Sequence, residues 1–207
     1  GYSVAMLARS AQRLNDIAQA TPNTHPFVCD VSDADRLGAV LEEIRQQLGA
    51  PKIVIHNAVG AERGTYLDVD AEKMRAAFEI NTMALLSLAK QLVPDMQASG
   101  GGALIATGNT SAYRGKARFA GFAPTKAAQR ILLESIAREA GPKGVHVAYV
   151  AIDAVIDLAW TREAFPNKPD DFFCQPADIA NEVVRIAEQP RSAWSFESVI
   201  RPYGEVW

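Results

Sequence analysis

Apolar and β-branched residues gather into short runs at residues 3–7, 26–29, 52–56, 103–106, 145–152 and 197–200, each bounded by polar, Gly or Pro positions. Runs this short and this continuously apolar predict strands covered on both faces. Between them the apolar positions take a helical period. Leu37, Val40, Leu41, Ile44 and Leu48 form one stripe, and Ile179, Val183, Ile186 and Ala187 form another, both of the kind that packs a helix onto a core. Alternation of strand and helix requires crossover connections and parallel pairing. The expected architecture is therefore α/β, a doubly wound, Rossmann-like parallel sheet with helices on both faces, in a single domain over residues 1–207. The stretch 165–174, with Pro166 and Pro169, breaks the pattern and predicts a mobile excursion across the surface.

Two longer helical patterns carry polar residues on apolar faces. Over about residues 71–97 the stripe Met74, Phe78, Leu85, Leu88 and Leu92 includes Asn81. A buried amide has two donors and two lone pairs to satisfy, so Asn81 is read either as the anchor of a helix kink or as part of a water relay. In the second pattern Phe122 and Lys126 stand four apart and share a face with Leu133 and Ile136. Lysine is rarely buried without a partner. Lys126 is expected either to snorkel to solvent or to point into a polar cleft.

Composition narrows the function classes. With 207 residues, 48% of them hydrophobic, the chain has length for one core rather than two. A net charge of -3, from 21 basic and 24 acidic residues mixed along the chain, offers no single-sign field for nucleic acid or an anionic membrane. Two cysteines, Cys29 and Cys174, and three scattered histidines make neither a disulfide framework nor a metal-ligand spacing. A reducing cytoplasm, a soluble protein and no metal are the expectation. No apolar run approaches the ~20 residues needed to cross a bilayer.

The segment Phe122-Ala-Pro-Thr-Lys126, following a hydroxyl-rich loop, resembles the catalytic helix of the short-chain dehydrogenase/reductases, where a tyrosine is followed four residues later by lysine. The likeness extends to Leu7-Ala8-Arg9, Cys29-Asp30-Val31, His56-Asn57-Ala58 and Ile80-Asn81-Thr82, in the family's order along nearly the whole chain. It implies that Lys126 binds the nicotinamide ribose, that Asn81 holds a relay water, that Asp30 lies beside the adenine and that Asn57 and Ala58 form the turn after a strand. Val59 stands at that turn's glycine position and Gly60 follows it. Arg9 stands where NAD-preferring relatives carry an acid, so the resemblance implies NADP over NAD, the alternative being a surface arginine that opens a loop. It implies in addition a homodimer or homotetramer built on the two long helices, whose small-residue side carries Ala127, Ala128, Ile131 and Ser135. That side has packing on the sheet as its alternative.

Three departures accompany the likeness. The family's glycine-rich phosphate turn and the strand before it have no counterpart here, so the chain is expected to be N-terminally incomplete, with an open edge on each strand that would flank the absent one. The tyrosine position holds Phe122, which has no proton to give. The serine position, thirteen residues earlier, holds Asn109, whose amide can still donate to an oxyanion. Tyr113 is the one phenol on the loop near Asn109. Asp153 replaces a glycine that would lie against the nicotinamide. It is read as a partner for Lys126, as a proton donor, or as the cap of a turn. The expected activity is that of an atypical NADP-dependent oxidoreductase on a small carbonyl or alcohol; a catalytically inactive NADP-binding or scaffold protein is the alternative.

Overall fold

The computed structural model describes residues 1–204. Among these residues eight strands and seven α-helices largely alternate. The strands β1 (Val4–Ala8) and β2 (Thr24–Val28) pair in parallel, joined by α1 (Ala11–Ala20). A four-stranded parallel sheet has the order β3 (Ile53–His56), β4 (Gly102–Gly108), β5 (Val145–Ile152), β8 (Glu197–Ile200). A short parallel pair joins β6 (Val155–Ile156) to β7 (Phe173–Cys174), with α6 (Ala159–Ala164) between them; only β7 falls within the 165–174 region expected to be irregular.

The period-2 geometry of β4 and β5 sorts their residues onto two covered faces. Leu104, Ala106, Val147 and Tyr149 face the core made by α4 (Ala84–Ala98) and α5 (Ala123–Ala140), while Ile105, Ala148 and Val150 meet Val183 and Ile186 of α7 (Pro176–Ala187). Both faces of these strands are buried, as the continuous apolar runs require. A second core joins Phe27 and Cys29 to Leu37, Val40 and Leu41 of α2 (Ala34–Leu48) and to Leu88 and Leu92 of α4.

The open edges foreseen for β1 and β3 are present. Among the described residues no ladder joins the two, although Ala5, Leu7 and Val54 pack against one core cluster. Two expectations of burial give way at this seam: Val4 and Ile55 are exposed, because each lies on a strand with a ladder on one side only.

The long helix expected over 71–97 is not continuous. It runs as α3 (Ala71–Phe78), a π-helical turn at Glu79–Met83 and then α4. A π turn inserts a residue and breaks the regular i to i−4 ladder, which lets the side chain at its centre leave the helix surface. Asn81 sits at that centre. Pro94, by contrast, is carried inside α4.

Candidate functional site

The candidate residues converge by topology. Arg9 follows β1, Cys29 and Asp30 follow β2, Asn57 follows β3, Asn109 follows β4 and Asp153 follows β5. β3, β4 and β5 share one parallel sheet, so Asn57, Asn109 and Asp153 lie on one side of it, where open α/β sheets form clefts; Arg9 and Asp30 lie together at the ends of the separate β1–β2 pair.

Asn81 is fully buried, and both its donors and one Oδ1 lone pair are used. Its Nδ2 donates to the Gly60 carbonyl at 2.8 Å and to Thr125 Oγ1 at 2.8 Å, and its Oδ1 accepts the Gly60 amide at 3.0 Å. Thr82 Oγ1 donates to the Thr125 carbonyl at 3.1 Å, and Thr125 Oγ1 donates to the Phe122 carbonyl at 2.8 Å. The π turn is thereby stapled both to the loop after β3 and to the first turn of α5. Glycine is needed at 60, since a Cβ there would lie 2.8 Å from the Ala77 Cα. The close backbone approach that Val59 put in question is made one residue later, while Val59 itself is exposed.

Lys126 does not snorkel. It is 2% exposed, its Nζ donates to the Thr107 carbonyl at 3.2 Å, and burial pushes the ammonium down to about 8. An ammonium has three donors, so further hydrogen-bonding capacity faces the interior here. Beside it lies His56, 2% exposed, whose Nε2 has no hydrogen-bond partner among the described residues. Burial first and the Lys126 charge second push this imidazole down to about 4, against the opposing pull of the Ile80 and Asn81 carbonyls. It is neutral at pH 7. Phe122 caps α5, its ring 3% exposed and its backbone N–H donating to the Phe119 carbonyl at 3.1 Å. A phenyl ring can pack there but cannot transfer a proton.

Asn109 accepts the Ser111 amide on its Oδ1 at 3.0 Å, which leaves the Nδ2 donors for another acceptor. Its backbone is clamped by Tyr149: the Asn109 amide donates to the Tyr149 hydroxyl at 3.2 Å, and that hydroxyl donates to the Asn109 carbonyl at 3.4 Å. The fit depends on Gly108, where a Cβ would stand 1.8 Å from the Tyr149 oxygen. Thr107 Oγ1 donates to Asn57 Oδ1 at 2.5 Å, tying the ends of β3 and β4 together.

Asp153 is not the partner of Lys126. Its Oδ1 accepts from Thr110 Oγ1 at 3.0 Å and its Oδ2 lies 3.7 Å from Arg201 Nε, so it braces the loop after β4 against the end of β8. Tyr113 turns toward Tyr149, with which it makes an edge-on contact at 6.4 Å, and the Arg130 guanidinium lies 5.4 Å from its ring. Burial and then the Glu197 carboxylate push its phenol up to about 12, which makes it a poor acid. Arg9, its side chain 78% exposed, lies 4.0 Å from Asp30, and Asp30 accepts both Ser32 N–H (3.0 Å) and Ser32 Oγ (2.7 Å), which hold its carboxyl below the usual range. Asp157, one turn after Asp153, is gripped by Arg162 through two bonds of 2.6 and 2.8 Å.

Three groups that matter to this geometry were not singled out by the residue pattern: Thr125, His56 and Tyr149. Only Tyr149 carried a usable signal, because a tyrosine in a strand buried on both faces must find a hydroxyl partner.

These elements define a Rossmann-like α/β fold with polar groups gathered at the carboxyl ends of its strands. The chain belongs to the short chain dehydrogenase family, whose model matches residues 1–165. It is 25% identical over 189 residues to the 7alpha-hydroxysteroid dehydrogenase of Escherichia coli K12, covering 87% of this chain and 73% of that protein. Among solved structures it resembles an alcohol dehydrogenase from Thermococcus sibiricus complexed with 5-hydroxy-NADP, at TM-score 0.87 and 22% identity, over 100% of this chain and 88% of that one. A 7 alpha-hydroxysteroid dehydrogenase complexed with NADH and 7-oxo glycochenodeoxycholic acid matches at TM-score 0.83 and 22% identity, over 100% and 85%. The chain is thus an oxidoreductase by family, with a fold shared across these structures. Among the described residues no helix is long and apolar enough to cross a membrane.

Proposed function

We propose that this chain is an atypical NADP-dependent short-chain oxidoreductase acting on a small carbonyl or alcohol, with Lys126, Asn81 and Asn109 as its site and Phe122 at the position of the family's tyrosine. The observation that carries the reading is the buried Lys126 ammonium. A lysine held at 2% exposure with one acceptor is costly to folding and gains its use by donating to a ligand. The donors present suit a dinucleotide. Lys126 would hold the nicotinamide ribose, Asp30 the adenine side, Asn57 and Ala58 the turn against the coenzyme, and the exposed Arg9 a 2′-phosphate, toward which a guanidinium is attracted and a carboxylate is not. Asp153 shapes the nicotinamide side through Thr110 rather than by touching Lys126. When bound, the coenzyme supplies or accepts a hydride. The Asn109 amide donates to the substrate oxygen, where negative charge grows as hydride is added. Asn81 fixes the π turn whose Ile80 and Asn81 carbonyls act on His56. Phe122 supplies no proton, so turnover falls short of a tyrosine enzyme by the ~10²–10⁴-fold that a positioned general acid contributes.

Ile131, exposed on the outward side of α5 beyond Ala127 and Ala128, supports a homodimer or homotetramer through the two long helices. The test is binding of NADPH and NADH, each read by fluorescence and thermal shift, followed by Phe122→Tyr assayed on a carbonyl panel. Tighter NADPH binding that weakens on Arg9→Ala, with activity gained in Phe122→Tyr, is expected. Binding of neither nucleotide overturns the proposal, and binding with no turnover in either form favours the inactive binder.

A further inference from the structure

The activity proposed above uses Lys126 and gives His56 no task, yet the two side chains are buried alike. Strand geometry brings them together. His56 ends β3 and stands in register with Ala106 of β4, one residue before Thr107, whose carbonyl accepts from Lys126 Nζ at 3.2 Å. Alternate residues of a strand share a face. Val54 packs against the core that α4 and α5 build, while Ile55 between the two is exposed, so His56 faces the helical layer from which Lys126 reaches in.

The two ring nitrogens of His56 have different surroundings. The Ile80 and Asn81 carbonyls of the π turn pull on the ring, and Nε2 has no hydrogen-bond partner among the described residues, so that pull falls on Nδ1. A carbonyl can only accept. The proton of the neutral imidazole is therefore held on Nδ1, and Nε2 presents a buried lone pair.

Lys126 has the complementary deficit. An ammonium carries three N–H groups, and among the described residues one of them is placed, on the Thr107 carbonyl. The lysine charge acts on the His56 ring although no direct bond reaches Nε2. Among the described residues no carboxylate acts on either group: Lys126 responds to burial alone, and His56 to burial, to Lys126 and to the two carbonyls. A buried lone pair and buried N–H groups set this close without touching are satisfied by an internal water.

We infer that His56 is a positioning residue for Lys126, its Nε2 accepting from one buried water that in turn accepts from the lysine Nζ. The three N–H groups of the lysine are then assigned. One goes to the Thr107 carbonyl of β4, one through the water to His56 of β3, and the third to the cleft. The consequence for coenzyme binding rests on the reading of Lys126 given above, whereas the hold on the ammonium exists without a coenzyme.

The test follows the Lys126 amine in the full chain without nucleotide, by NMR of lysine labelled at Cε, with the signal assigned by its absence from Lys126→Met. His56→Leu removes the lone pair and keeps an apolar side chain, and His56→Gln returns an oxygen near the place of Nε2. In His56→Leu the titration midpoint of Lys126 should fall by about one pH unit, because loss of an acceptor disfavours the ammonium. In His56→Gln it should stay near that of the parent. NADPH, titrated by fluorescence, should bind His56→Leu about tenfold more weakly than the parent, with His56→Gln restoring the affinity. An unmoved midpoint in His56→Leu overturns the inference, and so does a midpoint in His56→Gln as low as in His56→Leu, which would make packing the cause. A parent that binds no NADPH while the midpoint still falls would sink the function proposed above and support the hold on the ammonium. The parent alone supplies a measurement that does not depend on how the variants fold: long-range proton–nitrogen spectra at pH 7 should show His56 protonated at Nδ1 and bare at Nε2. The opposite tautomer, or a charged ring, overturns the inference.

Discussion

Replacing Lys126 by methionine keeps an unbranched apolar stem and removes the charge. Burial takes the ammonium from 10.5 to about 8. At about 1.4 kcal/mol per pKa unit that fall corresponds to roughly 3 kcal/mol by which folding disfavours the protonated lysine. The lost bond to the Thr107 carbonyl offsets about 1 kcal/mol of the gain. Lys126→Met is therefore expected to be more stable than the parent by about 2 kcal/mol at pH 7. The sign changes with pH in a defined way. Below about 8 the lysine is charged in both states and the cost is complete. As pH rises from about 8 to 10.5 the folded lysine is neutral while the unfolded one still holds its proton, so the parent recovers stability relative to the variant. Above 10.5 the variant keeps only the lost hydrogen bond. Urea unfolding of both proteins, followed by circular dichroism at pH 7 and again near pH 10, measures the difference directly, because His56, the group that feels the Lys126 charge, is held down to about 4 and is neutral in the fold at both pH values. A methionine variant less stable at pH 7, or a difference that does not move with pH, would refute the assignment of a buried charge. Confirmation would show a lysine retained against stability, the pattern expected of a group kept for binding.

Gly108→Ala sets a Cβ 1.8 Å from the hydroxyl oxygen of a fully buried tyrosine, and overpacking of that kind costs about 3 kcal/mol, a fall in Tm of roughly 6–12 °C for a chain of this size. Combined with Tyr149→Ala it should cost less than the sum of the two single changes; strict additivity would mean that the glycine serves some other contact. Asn81→Ala strips three hydrogen bonds from a buried staple, and about 3 kcal/mol of stability should go with them. Hydrogen exchange should then rise at Gly60 and in the π turn before it rises in β4, and exchange that rises uniformly would count against a local anchor.

The architecture was legible because strand and helix periods are local properties. Continuous apolar runs at β4 and β5 require cover on both faces, and the stripes of α2 and α7 show which side each helix buries. The family's motifs were legible for the same reason: Phe122 and Lys126 share a face wherever the helix lies. What the pattern left open was every question of partner. Lys126 had two readings until tertiary packing placed its ammonium on the Thr107 carbonyl, and Asp153 had three until Thr110 and Arg201 claimed it. Asn81 was flagged, but the π turn that frees it arises because Gly60 and Thr125, remote in sequence, offer better hydrogen bonds than a regular helix would. Hydrophobic periodicity records which surface must leave water. The pairing of polar groups depends on atoms brought together from distant parts of the chain, and in this protein only the folded arrangement of β3, β4 and α5 decides it.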